Sequence, residues 1–336
     1  MQISIINSDR SFNKNELFKN DDQFNLLYPF FKLKNVLHKK NIDINTSDIC
    51  PPEFSDIVFF NEAPEERVDV SKIKSQNSYL ILLECEIIRK NNYNENFHKY
   101  FKKVLTWDDD LINKNPNLYV KSNFTQSFKK IIKTKKTKLL CCISANKKVD
   151  HPNELYSHRL NIIRWLEKND PLNFDLYGFG WGHYKFSSNG LLRPLNFFTK
   201  FLPNARFRRS WKGSVQNKIE TLSNYKFNIC LENAYGYNGY ITEKIFDCFR
   251  AGTIPIYLGC PNISKHIPDN CYIDLRRYGD FSDCYDYIRS MNEEEYDDYQ
   301  TNISNFLDSK KAYFFSDDCF IETILNLINE EKNEWK

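Results

Sequence analysis

Residues 226–259, KFNICLENAYGYNGYITEKIFDCFRAGTIPIYLG, leave this chain few ways to fold. Residues 226–231 form an apolar run rich in β-formers, the pattern of a buried strand. A loop rich in glycine and tyrosine follows, over 234–240. Thr242 then suits a helix N-cap, and Ile245, Phe246, Cys248 and Phe249 fall on one helical face. Gly252 stops the helix, and residues 254–258 make a second short strand. The stretch reads as one βαβ unit. Its polar residues collect at the carboxyl end of a strand and at a helix N-terminus, where unpaired N–H groups and the helix dipole favour anions.

The residue types sharpen that expectation. Lys244 falls in the first helical turn, where a cation opposes the dipole, and a bound phosphate would offset the conflict. Glu243 can accept two hydrogen bonds from a vicinal diol such as ribose. Asn233 can donate and accept, and Tyr240 offers a hydroxyl and a ring face. Diol, phosphate and ring together describe a nucleotide-sugar. The plainer alternative is that Glu243 and Lys244 are surface charges on an amphipathic helix.

The ordered series Tyr225-Lys226-Phe227, Leu231-Glu232-Asn233, Tyr240-Ile241-Thr242-Glu243-Lys244 and Ile254-Pro255-Ile256, closing at Gly259, resembles the donor-binding signature of the α1,3/α1,4-fucosyltransferases, glycosyltransferase family 10. Leu231 stands where that family usually has Phe, and Ala234 where it often has Ser. The resemblance implies an α/β protein of glycosyltransferase-B architecture, two Rossmann-like domains facing across a cleft. The N-terminal domain would hold the acceptor, and the C-terminal domain GDP-fucose.

Composition agrees with a globular chain. At 336 residues, with 41% hydrophobic and 15% aromatic residues, it can bury two cores. A net charge of +3 is too small to imply nucleic-acid binding by itself. No apolar run is long enough to span a bilayer, and the N-terminus MQISIINSDRSF lacks the basic and apolar regions of a signal peptide. The expectation is therefore a cytoplasmic protein, similar to bacterial-type members without anchor and stem. None of the ten cysteines forms a CxxC pair or a metal-ligand spacing, so all are expected reduced, with Cys141 and Cys142 buried in a strand.

Strands are expected at 2–6, 56–60, 79–83 and 103–107, with a helix over 24–37. The run KKIIKTKKTK at 129–138 reads as a solvated inter-domain connection, or as a peripheral contact with anionic lipid. A second series follows: strand 139–143, helix 154–168 with Leu155, Leu160, Ile162, Ile163 and Leu166 inward, strand 174–177, and a helix over 213–224. Gly178-Phe179-Gly180-Trp181-Gly182 reads as a turn, because its third glycine is misplaced for a dinucleotide fingerprint. Residues 192–212 are basic and aromatic, 262–275 continue the sheet, and 320–331 form a final helix. The domains are set at 1–135, 136–310 and a C-terminal helix over 311–336.

Inverting transfer of fucose needs a base on the acceptor hydroxyl and positive charge on the departing phosphate. The resemblance implies a catalytic glutamate at the end of an N-domain strand, often before Ser-Pro. Glu84 fits that place, with Cys85 and Glu86 replacing Ser and Pro; Glu86 is its rival, and both would face the same way if the strand continued. Lys244 is the first cation for the leaving group, with Lys218, Lys212 and Arg159 as further candidates, and Gln216 in one alignment where relatives have Arg. The Asp108–Asp110 run reads as a loop cap, no DxD motif appears in the donor half, and no metal or other cofactor is expected. The leading function is an inverting α1,3-fucosyltransferase that takes GDP-fucose and an N-acetyllactosamine-like or other cell-surface glycan. The alternatives are a glycosyltransferase with another nucleotide-sugar donor and a non-catalytic glycan-binding protein.

Overall fold

The computed structural model describes residues 1–20, 27–64, 77–123, 131, 134–182, 197 and 209–334. The chain forms two compact units. The first comprises Met1–Phe128, Tyr237–Glu243 and Ser309–Lys336, and the second Lys129–Gly236 and Lys244–Asp308.

The first unit is built on β1 (Gln2–Asn7), β2 (Asp43–Thr46), β3 (Ile57–Asn61), β4 (Ser78–Leu82), β5 (Lys103–Thr106) and β6 (Tyr119–Lys121). They form one parallel sheet in the order β2-β1-β3-β4-β5-β6. Every residue of β3 and β4 is buried, as a parallel sheet covered on both faces requires. On one face, helix Tyr28–His38 turns Phe30, Leu33 and Leu37 onto Ile3, Ile5, Ile57 and Phe59. Helix Asp317–Glu334 joins this core. Its Phe320, Ile321, Ile324, Leu327 and Ile328 recur at helical spacing and are all buried. That stripe is why the C-terminal segment belongs to the first unit, and the units are not the successive segments 1–135, 136–310 and 311–336.

The second unit is built on β7 (Lys138–Ile143), β8 (Phe174–Tyr177), β9 (Tyr225–Leu231), β10 (Ile254–Leu258) and β11 (Ile273–Asp274), parallel in the order β11-β10-β9-β7-β8. The βαβ reading holds: β9, helix Glu243–Arg250 and β10 follow in turn, with Ile245, Phe246, Cys248 and Phe249 fully buried. All ten cysteines are free thiols, and Cys141 and Cys142 are buried within β7.

Several local expectations change. The 213–224 helix shrinks to Lys218–Leu222, because Asn217 caps it by accepting the Glu220 N–H at 3.0 Å. The 262–275 stretch supplies only β11, after a short helix, Ile263–His266. In helix Tyr156–Asn169 it is Arg159 that is buried, whereas Leu160 is only partly covered. Within the basic run, Lys136 turns inward. Its Nζ donates to the carbonyls of Ser223 at 2.9 Å and Ala251 at 2.6 Å, and burial lowers its pKa to about 8. Lys129, Lys130 and Lys133, and most of 192–212, lie outside the described residues. Among the described residues, no helix is long and apolar enough to cross a membrane.

Ile324→Ala removes a fully buried side chain from the stripe of the last helix. It should cost about 2–5 kcal/mol, read as a lower urea midpoint. An unchanged midpoint would show that this helix does not belong to the core of the first unit.

Candidate functional site

In a parallel sheet all carboxyl ends lie on one edge, and ligands favour the place where the chain's direction of travel across the sheet reverses. In the second unit that place is between β7 and β9, since β8 lies on one side of β7 and β9 on the other. Glu232 follows β9 and is fully buried. Its Oε2 lies 3.1 Å from Nζ of Lys244, in the first turn of helix Glu243–Arg250. A buried carboxylate is costly unless paired, and a lysine in a first helical turn opposes the dipole; the ion pair relieves both. The Lys244 side chain retains 24% exposure. The pair needs glycine at 259, where a Cβ would sit 2.5 Å from Cγ of Glu232 and 2.8 Å from the Tyr257 hydroxyl oxygen.

Other sequence candidates lie at β9 and around the helix Glu243–Arg250. Arg159 is buried, and its Nη2 donates to the carbonyls of Leu231 at 2.6 Å and Glu232 at 3.0 Å. It fixes the end of β9 through these two carbonyls. Lys218 donates to Oδ2 of Asp247 at 2.7 Å, and Lys212 lies 3.3 Å from Asp175. Asn233 is half-buried, with its carbonyl accepting the Leu155 N–H at 3.1 Å. Glu243 is half-buried at the start of its helix. Thus Lys244 and Arg159 meet at the end of β9, and Lys218 and Lys212 are held by other carboxylates.

Tyr240 differs most from its expected use. Its ring is fully buried against Trp107, centroids 4.8 Å apart, so it offers no open face. It belongs to the signature segment Tyr237–Glu243, which is part of the first unit. That segment is tied down by the acidic run. Asp108 caps helix Asp109–Lys114 by accepting the N–H groups of Asp110 and Leu111, the Asp109 N–H donates to the Asn238 carbonyl at 3.1 Å, and the Asn238 amide donates to Asp110 at 3.1 Å. Gly239, at φ +86°, leaves room for the Trp107 carbonyl, which a Cβ would meet at 2.3 Å.

In the first unit, β3, β4 and β5 end side by side. β4 stops at Leu82, and a turn opens at Cys85, whose carbonyl accepts the N–H groups of Ile88 at 3.0 Å and Arg89 at 2.9 Å. The strand does not continue through Glu86, so strand alternation does not align Glu84 with Glu86. Glu84 is half-buried with its Oε2 enclosed. Glu86 accepts the Tyr237 hydroxyl at 3.1 Å through Oε2. Beneath the turn lies a carboxylate that the sequence did not single out. Glu62, just past β3, is buried, and its Oε1 accepts the N–H groups of Leu83 at 3.0 Å and Glu84 at 2.9 Å. Burial pushes its pKa up to about 8, and the nearby Glu84 adds to the rise against the donors. Glu232 was visible inside the signature, but nothing in the sequence around Glu62 marks it.

Gly259→Ala should displace Glu232 and with it Lys244. Overpacking of this kind costs about 1–3 kcal/mol, measurable by denaturant titration. A variant as stable as wild type would show that the Glu232–Lys244 pair does not depend on that close approach.

Residues 133–319, just over half of the chain, match the C-terminal domain of glycosyltransferase family 10 (fucosyltransferase). An α-(1,3)-fucosyltransferase of Helicobacter pylori is 36% identical over 130 residues, which cover 38% of this chain and 27% of that protein. An α-(1,4)-fucosyltransferase of Arabidopsis thaliana is 30% identical over 73 residues, 22% of this chain and 18% of that one. The chain thus aligns with under a third of the length of either relative. Among solved structures, an α1,3-fucosyltransferase with GDP-fucose superposes with a TM-score of 0.57 at 19% identity, covering 98% of this chain and 90% of that one. An α-glucosyltransferase in complex with UDP-glucose and DNA gives a TM-score of 0.59 at 12% identity, covering 98% and 99%. These likenesses establish the fold, two parallel-sheet α/β units as in glycosyltransferase-B proteins. By the match over 133–319, with its signature from Tyr225 to Gly259, the chain belongs to glycosyltransferase family 10, the fucosyltransferase family.

Proposed function

We propose that the chain moves L-fucose from GDP-β-L-fucose, with inversion, onto a glycan hydroxyl to form an α1,3 linkage. The observation that carries this reading is Lys244, seated at a helix start beside the end of β9 over buried Glu232, inside the family match. The donor and linkage rest further on the names of the Helicobacter pylori relative and of the structural neighbour that holds GDP-fucose. An N-acetyllactosamine-like or other cell-surface glycan remains the proposed acceptor.

The step balances as follows. The acceptor oxygen forms a bond to C1 of fucose while the bond from C1 to the β-phosphate oxygen breaks. The electron pair of that bond leaves with GDP, where Lys244 and the helix start stabilise the growing negative charge. The acceptor proton passes to a carboxylate. Glu84 and Glu86 are the two candidates, and their surroundings favour Glu86. One Glu84 oxygen is enclosed, whereas Glu86 is oriented by Tyr237 from the signature segment. Side-chain and helix charge on the diphosphate make an obligate divalent metal unnecessary in this scheme. Asn233 and Glu243 are assigned to the sugar and ribose hydroxyls, and Arg159 acts through the end of β9.

The decisive assay is GDP release from GDP-fucose in EDTA, with and without N-acetyllactosamine. Acceptor-stimulated release should occur, and Lys244→Ala should lower it about 10²- to 10³-fold. Release from another nucleotide-sugar alone would replace the donor assignment, and dependence on an added divalent ion would overturn the metal-free scheme. Comparing Glu86→Gln with Glu84→Gln settles the base: the larger fall in kcat, by about 10²-fold or more, is expected for Glu86→Gln, and the reverse order would return the role to Glu84.

A further inference from the structure

The turn that carries Glu84 and Glu86 is held by hydrogen bonds on three successive peptide groups that leave β4. The Leu83 N–H and Glu84 N–H donate to Oε1 of Glu62, the Leu83 carbonyl accepts from Nε1 of Trp107 at 2.9 Å, and the Glu84 carbonyl accepts from Nδ2 of Asn92 at 3.0 Å. Nδ2 of Asn92 also donates to Oε2 of Glu62. The amide of Asn92 cannot be turned over without loss. Its Oδ1 accepts the Ala63 N–H at 3.0 Å, so its nitrogen must face Glu62 and Glu84. Glu62 is therefore surrounded by donors, an arrangement that only the carboxylate satisfies in full. It also adopts φ +71°, a left-handed backbone that a non-glycine residue enters at a cost.

We propose that Glu62 is a positioning residue: its ionised carboxylate, oriented by Asn92, grips the Leu83 and Glu84 N–H groups and so sets the place of the turn that carries the base, without touching substrate. The catalytic half of this statement rests on the transferase reading above; the clamp itself does not. A proton on Glu62 would put an O–H against N–H donors and loosen the grip. Burial pushes this carboxyl up to about 8, so the clamp should tighten as pH rises through that range.

Other charged and polar groups lie near it. From the end of β4, Glu84 contributes a like charge. From the turn, burial pushes the Cys85 thiol up to about 11. From behind Asn92, His98 places Nε2 at 3.0 Å from the Asn92 carbonyl and Nδ1 at 3.0 Å from the Tyr119 hydroxyl, and burial holds it below its ordinary value. Across the edge, Asn61 and Asn7 form a neutral pair at 3.1 Å.

The test uses the full chain and two readouts. The first needs no substrate: the indole N–H resonance of Trp107, assigned with Trp107→Phe, is followed against pH. In wild type it should shift with a midpoint near the raised Glu62 value of about 8, and Glu62→Gln should abolish that shift. The second is the pH profile of kcat for transfer from GDP-fucose. Wild type should gain activity as pH rises through the same range. Glu62→Gln should lose that limb and lower kcat about tenfold to a hundredfold, with KM for GDP-fucose within about twofold of wild type. A wild-type Trp107 resonance that does not titrate in this range, or a limb retained in Glu62→Gln, overturns the proposal. If Glu62→Gln fails to fold, Asn92→Asp replaces it: a second carboxylate facing Glu62 should push the Trp107 midpoint higher, and an unmoved midpoint overturns the clamp. Transfer from no nucleotide-sugar at all would defeat the transferase reading and leave the Trp107 titration to judge the clamp.

Discussion

A parallel sheet covered on both faces leaves its polar chemistry one place to go. The interiors of β3, β4, β9 and β10 are apolar and almost wholly buried, so charged groups gather where those strands stop. At the carboxyl edge the last carbonyls and the first N–H groups of the next element have no ladder partners, and side chains must supply them. Arg159 supplies donors at the end of β9, and Glu62 supplies an acceptor at the end of β4. Each turns an unsatisfied strand end into a fixed platform for the residue that follows it.

What could be read from the sequence follows the range of the forces involved. Helix Glu243–Arg250 was legible because its signals are local: a cap residue, an apolar stripe and a stop at Gly252. The end of β4 was legible to within one residue for the same reason, which is why Glu84 was placed correctly as a residue at a strand end. Arg159 was singled out as a cation for the leaving group, but its role at the end of β9 was not legible, because its partners are carbonyls 72 and 73 residues away. Lys218 and Lys212 looked like free cations in sequence; Asp247 and Asp175, which hold them, are distant in the chain. Tyr240 looked like a ligand contact because tyrosine in a glycine-rich loop has an open ring until Trp107 covers it. Strands β2 and β6 went unread because Asp43–Thr46 is mostly polar and Tyr119–Lys121 is only three residues long. Glu62 was the hardest case. Its environment is built by Leu83, Glu84 and Asn92, and a lone glutamate after a strand carries no mark of burial.

The same device appears at both edges, with opposite sign. At the end of β9 a buried carboxylate, Glu232, holds a cation, Lys244, that keeps part of its surface open. At the end of β4 a buried carboxylate, Glu62, holds backbone N–H groups so that other carboxylates, Glu84 and Glu86, can stand further out. Burying a charge lowers stability unless its partners are complete, and the two sites complete them differently. Glu232 has a counter-charge in Lys244, 3.1 Å away. Among the described residues Glu62 has dipole partners and a like charge nearby, and burial makes its ionisation uphill.

That difference decides where pH can act on this fold. For Glu62 the folded value lies above the ordinary carboxyl value, so the native state binds the proton more tightly than the unfolded chain does. Its contribution to stability is then fully present below the unfolded value and is lost as pH rises through about 8. Ionisation completes the hydrogen bonds of the Leu83–Glu84 turn while it weakens the first unit as a whole. Local order at the turn and global stability therefore run in opposite directions with pH. A buried carboxylate ringed by donors is poorly suited to holding a fold together when ionised and well suited to holding one turn in one place. The left-handed backbone of Glu62 points the same way, since strain persists only where the surrounding contacts over-determine it.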